Sequence, residues 1–309
     1  MSQEQDFRPS SAPTCGAIGQ MARDHVQTLI ALGRSGTARN RRLAADRFGE
    51  FVAQGDLLSR PITPAVVEGF EAHLRARGNC RNTTSFYLRN LRAILNHAGP
   101  GGDSSCLFSR VYTGIDVTVK RALRLADIRR IAQADLTAHG LPVQTARDLF
   151  IFSLYSCGMA FIDMAFLLKT DITGASLTYR RHKTGQRISI GWGRELRLIA
   201  DRHPSATRFL LPIITRDDGT ERRQYTSAMM TVNRRLKIVA KAAGVDAPLS
   251  MYTARHSWAT IARDNGVPLH VISRALGHTS CRTTQIYLAS ISDAEVIASM
   301  RKIIKLISL

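Results

Sequence analysis

The chain has 309 residues, with 43 Lys+Arg against 24 Asp+Glu and a formal net charge of +19. Hydrophobic content of 44% and charged content of 22% exclude wholesale disorder. The longest apolar runs, such as Leu149–Tyr155, fall far short of the ~20 residues of a membrane span. No basic start followed by an apolar core marks a secretory signal, and the 5 cysteines share no short spacing, which fits a reducing cytoplasm and excludes both a disulfide framework and a zinc site. At roughly 100–200 residues per domain, two domains are expected. The basic residues are 36 arginines and 7 lysines, and both the first 110 residues and the remainder are net positive. A chain of this kind asks for a polyanion gripped by both halves rather than by a tail.

Residues 1–17, polar and carrying Pro9 and Pro13, read as a disordered lead. A helical region over 18–100 follows. Thr37 is the expected N-cap of a helix through Phe51, with Leu43, Ala44, Phe48 and Phe51 on its buried face. Arg39, Arg41, Arg42 and Arg47 are distributed around the rest. Thr63 caps a helix Pro64–Arg75, with proline at its first position. Thr84 opens another to His97, burying Tyr87, Leu88, Leu91 and Leu95, with Arg89 and Arg92 turned toward a phosphate backbone. Gly99-Pro100-Gly101-Gly102 ends it and begins a linker over 101–119, whose Phe108–Val119 alternates as an extended segment.

A second domain is expected over 120–309. Asp127 caps a helix to Leu136, and Thr145 starts another to Tyr155. Ser176–Arg181 and Arg187–Ile190 flank Lys183-Thr184-Gly185-Gln186 as a β-hairpin, with Gly185 supplying the positive φ. Helices resume at Glu195–Asp201 and Ser227–Ala243. The fold class is therefore mainly α with a small antiparallel sheet.

Three features of residues 250–290 belong together. Tyr252-Thr253-Ala254-Arg255-His256-Ser257-Trp258-Ala259-Thr260 places a lone arginine in the first turn of an apolar helix. Leu276-Gly277-His278 ends a helix at a glycine, which leaves the His278 ring fixed and partly exposed. Tyr287 comes nine residues later.

Together these features resemble the tyrosine recombinase (phage integrase) family, over about residues 18–309. More narrowly, Ala146-Arg147-Asp148-Leu149-Phe150 and Gly158-Met159-Ala160-Phe161-Ile162-Asp163-Met164 are similar to integrases of mobile elements and invertible loci in anaerobic gut bacteria. The resemblance implies an all-helical, SAM-like core-binding domain joined to a catalytic domain, closing as a C-shaped clamp around duplex DNA. It implies a site-specific recombinase that cleaves and rejoins DNA through a 3′-phosphotyrosine and a Holliday junction, for integration, excision or inversion.

The family's motifs fall on Arg255, His278 and Tyr287, on Lys183 for the hairpin lysine, and on Asp163 for the acidic residue after its first arginine. That first arginine is replaced by Ala160, and the histidine three residues before the second arginine by Tyr252. Arg147, one helix upstream, has two readings: a substitute for the missing cation, or a helix-start arginine paired locally with Asp148. The implied chemistry is phosphoryl transfer. Cations hold the phosphate, Tyr287 attacks, and Lys183 protonates the 5′ oxygen. It needs no metal, nucleotide or other cofactor. The implied partners are double-stranded DNA with paired recombination sites, three further copies of the chain in a tetramer, and accessory DNA-bending proteins, with no membrane. The apolar stripe of 293–309 is expected to be a helix docking in a neighbouring protomer. Two other readings are a catalytically impaired DNA-binding or architectural protein, which Ala160 favours, and a helix-turn-helix regulator, which leaves the hairpin lysine and the first domain unexplained.

Overall fold

The computed structural model describes residues 13–98, 104–116 and 122–278. Most of the expected lead, Tyr287 and the expected helix 293–309 lie outside the described residues. The chain divides into two compact units, Met1–Thr118 and Val119–Leu309. No helix among the described residues is long and apolar enough to cross a membrane.

The first unit is helical: α1 (Ile18–Ala31), α2 (Ser35–Gln54), α3 (Pro64–Ala76) and α4 (Arg81–Ala98). Ile18, Ala22, Val26 and Leu29 recur at helical spacing along α1 and are buried. Helix α2 starts two residues before the expected cap; Ala44 and Phe48 are buried as expected, with Ala38 and Val52 completing the face in place of Leu43. Leu43 is 43% exposed as a result. Thr63 caps α3 by accepting from the Val66 amide at 3.4 Å, with Pro64 at the first position. The Phe48 and Phe70 rings meet edge-on at 5.1 Å in the core.

The expected extended stretch from Phe108 is corrected. Ser105–Phe108 forms a 3-10 turn, and none of the described residues 109–116 joins a strand. Polar side chains at the start of α4 bind this segment instead. Ser85 donates to the Gly114 carbonyl at 2.6 Å, and Asn82 takes both the amide and the carbonyl of Asp116. Alternating Val111, Thr113 and Ile115 meet no open sheet edge, so alternation alone makes no strand.

The second unit holds α5 (Leu125–Gln133), α6 (Leu141–Tyr155), α7 (Phe161–Ala165), α8 (Arg194–Arg202), α9 (Glu221–Ala242), α10 (Met251–Asp264) and α11 (Leu269–Ala275). Helix α6 is buried nearly all round, as its near-continuous apolar sequence requires, and packs against α5, α8, α9 and α10. A three-stranded antiparallel sheet, β1 (Ile172–Thr173), β2 (Ser176–Arg180) and β3 (Arg187–Gly191), is inserted between α7 and α8. The β2–β3 register runs from Ser176 opposite Gly191 to Arg180 opposite Arg187. Leu177, Tyr179 and Ile188 enter the core, and this fixes which face of the hairpin turns inward.

Candidate active site

Helix α10 is anchored at its start. The Ser250 hydroxyl accepts from the Thr253 amide, and the Thr253 hydroxyl accepts from the Ser250 amide at 3.2 Å. This reciprocal cap sets the helix phase, so that Met251, Ala254 and Arg255 point inward. Arg255 is the fifth residue of the helix, just past the expected first turn, and is only 3% exposed. Its Nη1 donates to the Gly158 carbonyl at 2.8 Å, and its Nη2 to the Leu276 carbonyl.

Helix α11 ends in a Schellman turn. The His278 amide donates to Ser273 O at 3.0 Å and the Gly277 amide to Arg274 O at 2.9 Å, with Gly277 at φ +61°. That turn leaves the carbonyls of Leu276 and Gly277 outside the helix ladder. Arg255 takes the first, and Arg181 takes the second through its Nη1. Gly277 is needed twice over. A Cβ there would lie 2.6 Å from Ile188 Cδ1 as well as strain a positive φ.

The β2–β3 hairpin closes over this turn. Arg181 N donates to Gln186 O at 2.9 Å and Gly185 N to Arg181 O at 2.8 Å, which sets a loop carrying His182, Lys183 and Thr184. The base of the hairpin is pinned by the buried Asp163 of α7, which accepts from the His182 amide at 2.8 Å. Asp163 also stands 3.9 Å from Arg181 Nε. Lys183 is exposed at the tip.

The expectation of a partly exposed His278 is corrected, because the hairpin covers the turn and leaves the residue 9% exposed. Burial, then the charges of Arg255, Arg181 and Lys183, push its pKa down to about 4. The imidazole is therefore neutral at pH 7. Its Nε2 lies 3.3 Å from Arg255 Nη2. A guanidinium only donates, so Nε2 accepts and the ring proton belongs on Nδ1.

A pH prediction follows. A histidine whose folded pKa lies below the ordinary 6.5 binds its proton in the unfolded chain before it does so in the folded one. The stability it lends is complete above pH 6.5 and is lost as the pH falls toward 4. His25 in the first unit is also held at about 4, by burial and then by His97 and Arg41. Both units are expected to melt at lower temperature as the pH drops through this window. His278→Gln should flatten the dependence of the second unit alone. Unchanged curves for that variant would contradict the assignment.

Arg255 and His278 are thus brought together, with Lys183 near enough for its charge to act on the imidazole. Tyr252 is 59% exposed in the first turn of α10, its ring edge-on to His256 at 4.3 Å. Arg147 does not join the group. Its Nε donates to Asp148 at 2.6 Å and its Nη1 to the Ala132 and Ala134 carbonyls at the C-terminal end of α5. Asp148 also accepts from Arg202 at 2.7 Å and lies 2.8 Å from His203 Nε2, forming a separate buried cluster between α6 and α8. Tyr287 lies outside the described residues. Arg181, which the sequence reading passed over as the end of a strand, is 7% exposed and shares the turn with Arg255. Two arginines before a hairpin lysine were the available signal.

In the first unit, Arg39 and Arg42 are exposed on α2, and Arg89 and Arg92 are half-buried on α4. Arg41 is corrected from a solvent-facing position. Its guanidinium turns inward to the Asn90 side chain and ties α2 to α4. Among the described residues no group of three or more His, Cys, Asp or Glu side chains is placed to hold a metal ion.

The sequence model of the phage integrase SAM-like domain matches residues 18–100, and that of the phage integrase family matches residues 209–293. Tyrosine recombinase XerD of Listeria innocua serovar 6a is 24% identical over 235 residues, covering 72% of this chain and 76% of that protein. The structure of Tn1549 transposon integrase in complex with transposon right end DNA aligns at a TM-score of 0.64 and 16% identity, covering 92% of this chain and 98% of that one. A lambda integrase tetramer bound to a Holliday junction aligns at 0.62 and 15% identity, covering 93% and 83%.

Proposed function

The chain belongs to the tyrosine recombinase (phage integrase) family, whose members are site-specific DNA recombinases, and we propose that its own reaction is cleavage and rejoining of duplex DNA through a 3′-phosphotyrosine on Tyr287. The observation that carries this reading is the single turn at Leu276-Gly277-His278. It gathers two buried guanidiniums and a neutral imidazole beside the exposed amine of Lys183. A phosphodiester resists nucleophiles because it is negative, and it gains charge on its non-bridging oxygens under attack. Fixed cationic donors that need no rearrangement are what this reaction requires.

In the cleavage step the Tyr287 Oη–P bond forms as the P–O5′ bond breaks. The phenolic proton leaves to solvent, and the Lys183 ammonium gives a proton to the departing O5′. Arg255 offers the phosphate a planar donor, and neutral His278 offers Nδ1–H. Rejoining is the same sequence reversed with a different 5′ hydroxyl, so the bond energy is conserved without a nucleotide cofactor. Tyr252, in the first turn of α10, stands in for a family histidine and offers a hydroxyl donor. Residues 18–100 grip the duplex, with Arg39 and Arg42 of α2 and Arg89 and Arg92 of α4 on the phosphate backbone. Four protomers assemble on paired sites in the cytoplasm, as in the lambda integrase tetramer bound to a Holliday junction. The segment 293–309 docks in the neighbouring protomer, and DNA-bending proteins assist where the sites are far apart.

The test is covalent trapping. Duplexes that the protein selects from a random library define its site, which is then rebuilt as a nicked suicide substrate. A denaturant-resistant adduct on the peptide containing Tyr287, located by mass spectrometry, supports the proposal. Site binding without any adduct would replace it with the architectural reading, which Ala160 favours.

The role of Lys183 has its own test. Lys183→Ala is expected to cleave ordinary DNA about 10²–10⁴-fold more slowly. The variant should recover on a substrate with sulfur at the 5′ bridging position, because sulfur leaves without protonation. An equal defect on both substrates would mean that Lys183 binds DNA rather than acting as the acid.

A further inference from the structure

The tip of the β2–β3 hairpin carries His182, Lys183 and Thr184, and the two outer residues are tied to different elements. His182 is held through its amide, which donates to Asp163 Oδ1 of α7 at 2.8 Å. Its ring also packs against Phe166, with the centroids 4.6 Å apart. Thr184 is held on the other side, where its Oγ1 donates to the Gly277 carbonyl at 3.4 Å. Lys183 stands between the two anchors. Its side chain is exposed and makes no hydrogen bond or ion pair among the described residues. The backbone on either side of Lys183 is therefore fixed, while its amine is left to reach outward.

The Gly277 carbonyl is a shared acceptor. It lies outside the ladder of α11, and its two lone pairs receive Arg181 Nη1 and Thr184 Oγ1. The two donors differ in what depends on them. Arg181 is buried at the base of the tip, and backbone bonds from Arg181 N to Gln186 O and from Gly185 N to Arg181 O close the hairpin without Thr184. A half-buried hydroxyl at 3.4 Å, near the outer limit of a hydrogen bond, adds little to stability. What it does set is the place of the tip over the residue before His278. A β-branched side chain suits that task, because its χ1 is stiff and the backbone aims the hydroxyl. Lysine has the opposite character. Its ammonium rides on a flexible four-carbon stem, so its proton reaches a defined oxygen only when its Cα has been placed first.

Resting on the recombinase reading above, we propose that Thr184 is the positioning residue of Lys183. Its hydroxyl, seated on the Gly277 carbonyl, holds the hairpin tip where the ammonium meets the departing 5′ oxygen. No bond forms or breaks at Thr184 itself. Its effect is confined to protonation of the leaving group, because the other donors are placed without it. Arg255 is fixed by the Gly158 and Leu276 carbonyls, and His278 by its amide on Ser273 O. Loss of the hydroxyl should therefore reproduce the loss of Lys183 in kind, at a smaller size, and leave the rest of the site working.

The experiment uses the full chain and two versions of the suicide substrate, one with oxygen and one with sulfur at the 5′ bridging position. Wild type must first form the adduct on the oxygen substrate; if it does not, the recombinase reading fails, and that failure is distinct from this one. Thr184→Val keeps the branched shape and removes only the hydroxyl. It is expected to cleave the oxygen substrate about 10–10²-fold more slowly than wild type, and the sulfur substrate within about twofold of it. Thr184→Ser restores the hydroxyl and should return to within about threefold of wild type on oxygen. A defect of equal size on both substrates would give Thr184 a structural or DNA-binding role and overturn the proposal. Wild-type cleavage by Thr184→Val, or a serine variant as slow as the valine one, would overturn it as well.

A thermal melt reports whether Thr184→Val folds. If it does not, Thr184→Ala is read on the same pair of substrates, with the same outcomes deciding. The double variant Lys183→Ala/Thr184→Val gives an independent reading. A hydroxyl that acts through Lys183 has nothing left to place once the amine is gone, so the double variant should cleave the oxygen substrate no more slowly than Lys183→Ala alone. Defects that multiply would overturn the proposal. A Lys183→Ala defect that sulfur does not relieve would also overturn it, by removing the acid that Thr184 is said to position.

Discussion

A Tyr287→Phe variant is expected to form no denaturant-resistant adduct, while binding its DNA site with wild-type affinity. The substitution removes one oxygen, the atom that would bond to phosphorus, and keeps the ring. Phenylalanine has no lone pair to offer, so the loss is complete, unlike the graded defects expected on removing a cation. Affinity should persist because it comes from phosphate contacts by basic side chains, which the variant leaves in place. An ordinary phenol, with a pKa of about 10, is a poor nucleophile at neutral pH. On the proposed reaction, the positive charge of Arg255, Arg181 and Lys183 around the phosphate would favour the phenolate as attack begins. Suicide-substrate trapping beside a binding titration checks both halves. An adduct that survives in Tyr287→Phe would move the nucleophile elsewhere. Exposed Tyr252 of α10 is the next hydroxyl to test, and Tyr252→Phe is expected to keep the adduct.

Which parts of this site could be read from sequence depends on how far each residue's meaning lies along the chain. Thr63-Pro64 marks the start of α3 by purely local chemistry, and the cap forms there. Lys183-Thr184-Gly185-Gln186 predicts the hairpin because a positive φ is needed within four residues, and Gly185 has φ +70°. Gly277 predicts the end of α11 for the same reason. Arg181 is different. It gains its role from the Gly277 carbonyl, 96 residues away, and from Asp163 on another element, and no spacing rule encodes that. The burial of His278 was missed for a related cause, since the hairpin covering it belongs to a distant segment. Leu43 was misassigned through phase. Helix α2 packs on α1 and α4 through a face that keeps Ala44 and Phe48 but is completed by Ala38 and Val52, which leaves Leu43 at its edge. Strand β1 has only two residues, too few for alternation to be seen.

Arg147 was the residue whose two readings the sequence left open, and the Asp148 cluster offers the decisive measurement. Asp148 is 3% exposed and accepts from Arg147 and Arg202, with His203 Nε2 at 2.8 Å. Burial pushes its carboxyl pKa up, but hydrogen bonds from His203 and Arg202 and the charge of Arg147 outweigh this and hold it below the usual range. Asp148→Ala would strand a half-buried guanidinium and a buried imidazole against α6, and removing one partner of a buried ionic group costs about 3–5 kcal/mol. Arg202→Ala, at the exposed rim of the cluster, should cost no more than about 1 kcal/mol. With two compact units, chemical denaturation is expected to show the Asp148→Ala loss in the transition of the second unit only. The sign with pH is fixed by the lowered pKa. The stabilisation is present above the unfolded carboxyl pKa, and is lost as the pH falls through the folded one, so wild type and Asp148→Asn should converge below about pH 4. A loss under 1 kcal/mol for Asp148→Ala would show that the cluster is not holding α6 to α8. Arg147→Ala then separates structure from catalysis. It should share part of the instability, and yet cleave the suicide substrate at the wild-type rate per folded molecule, because its guanidinium serves Asp148 and two carbonyls rather than the phosphate.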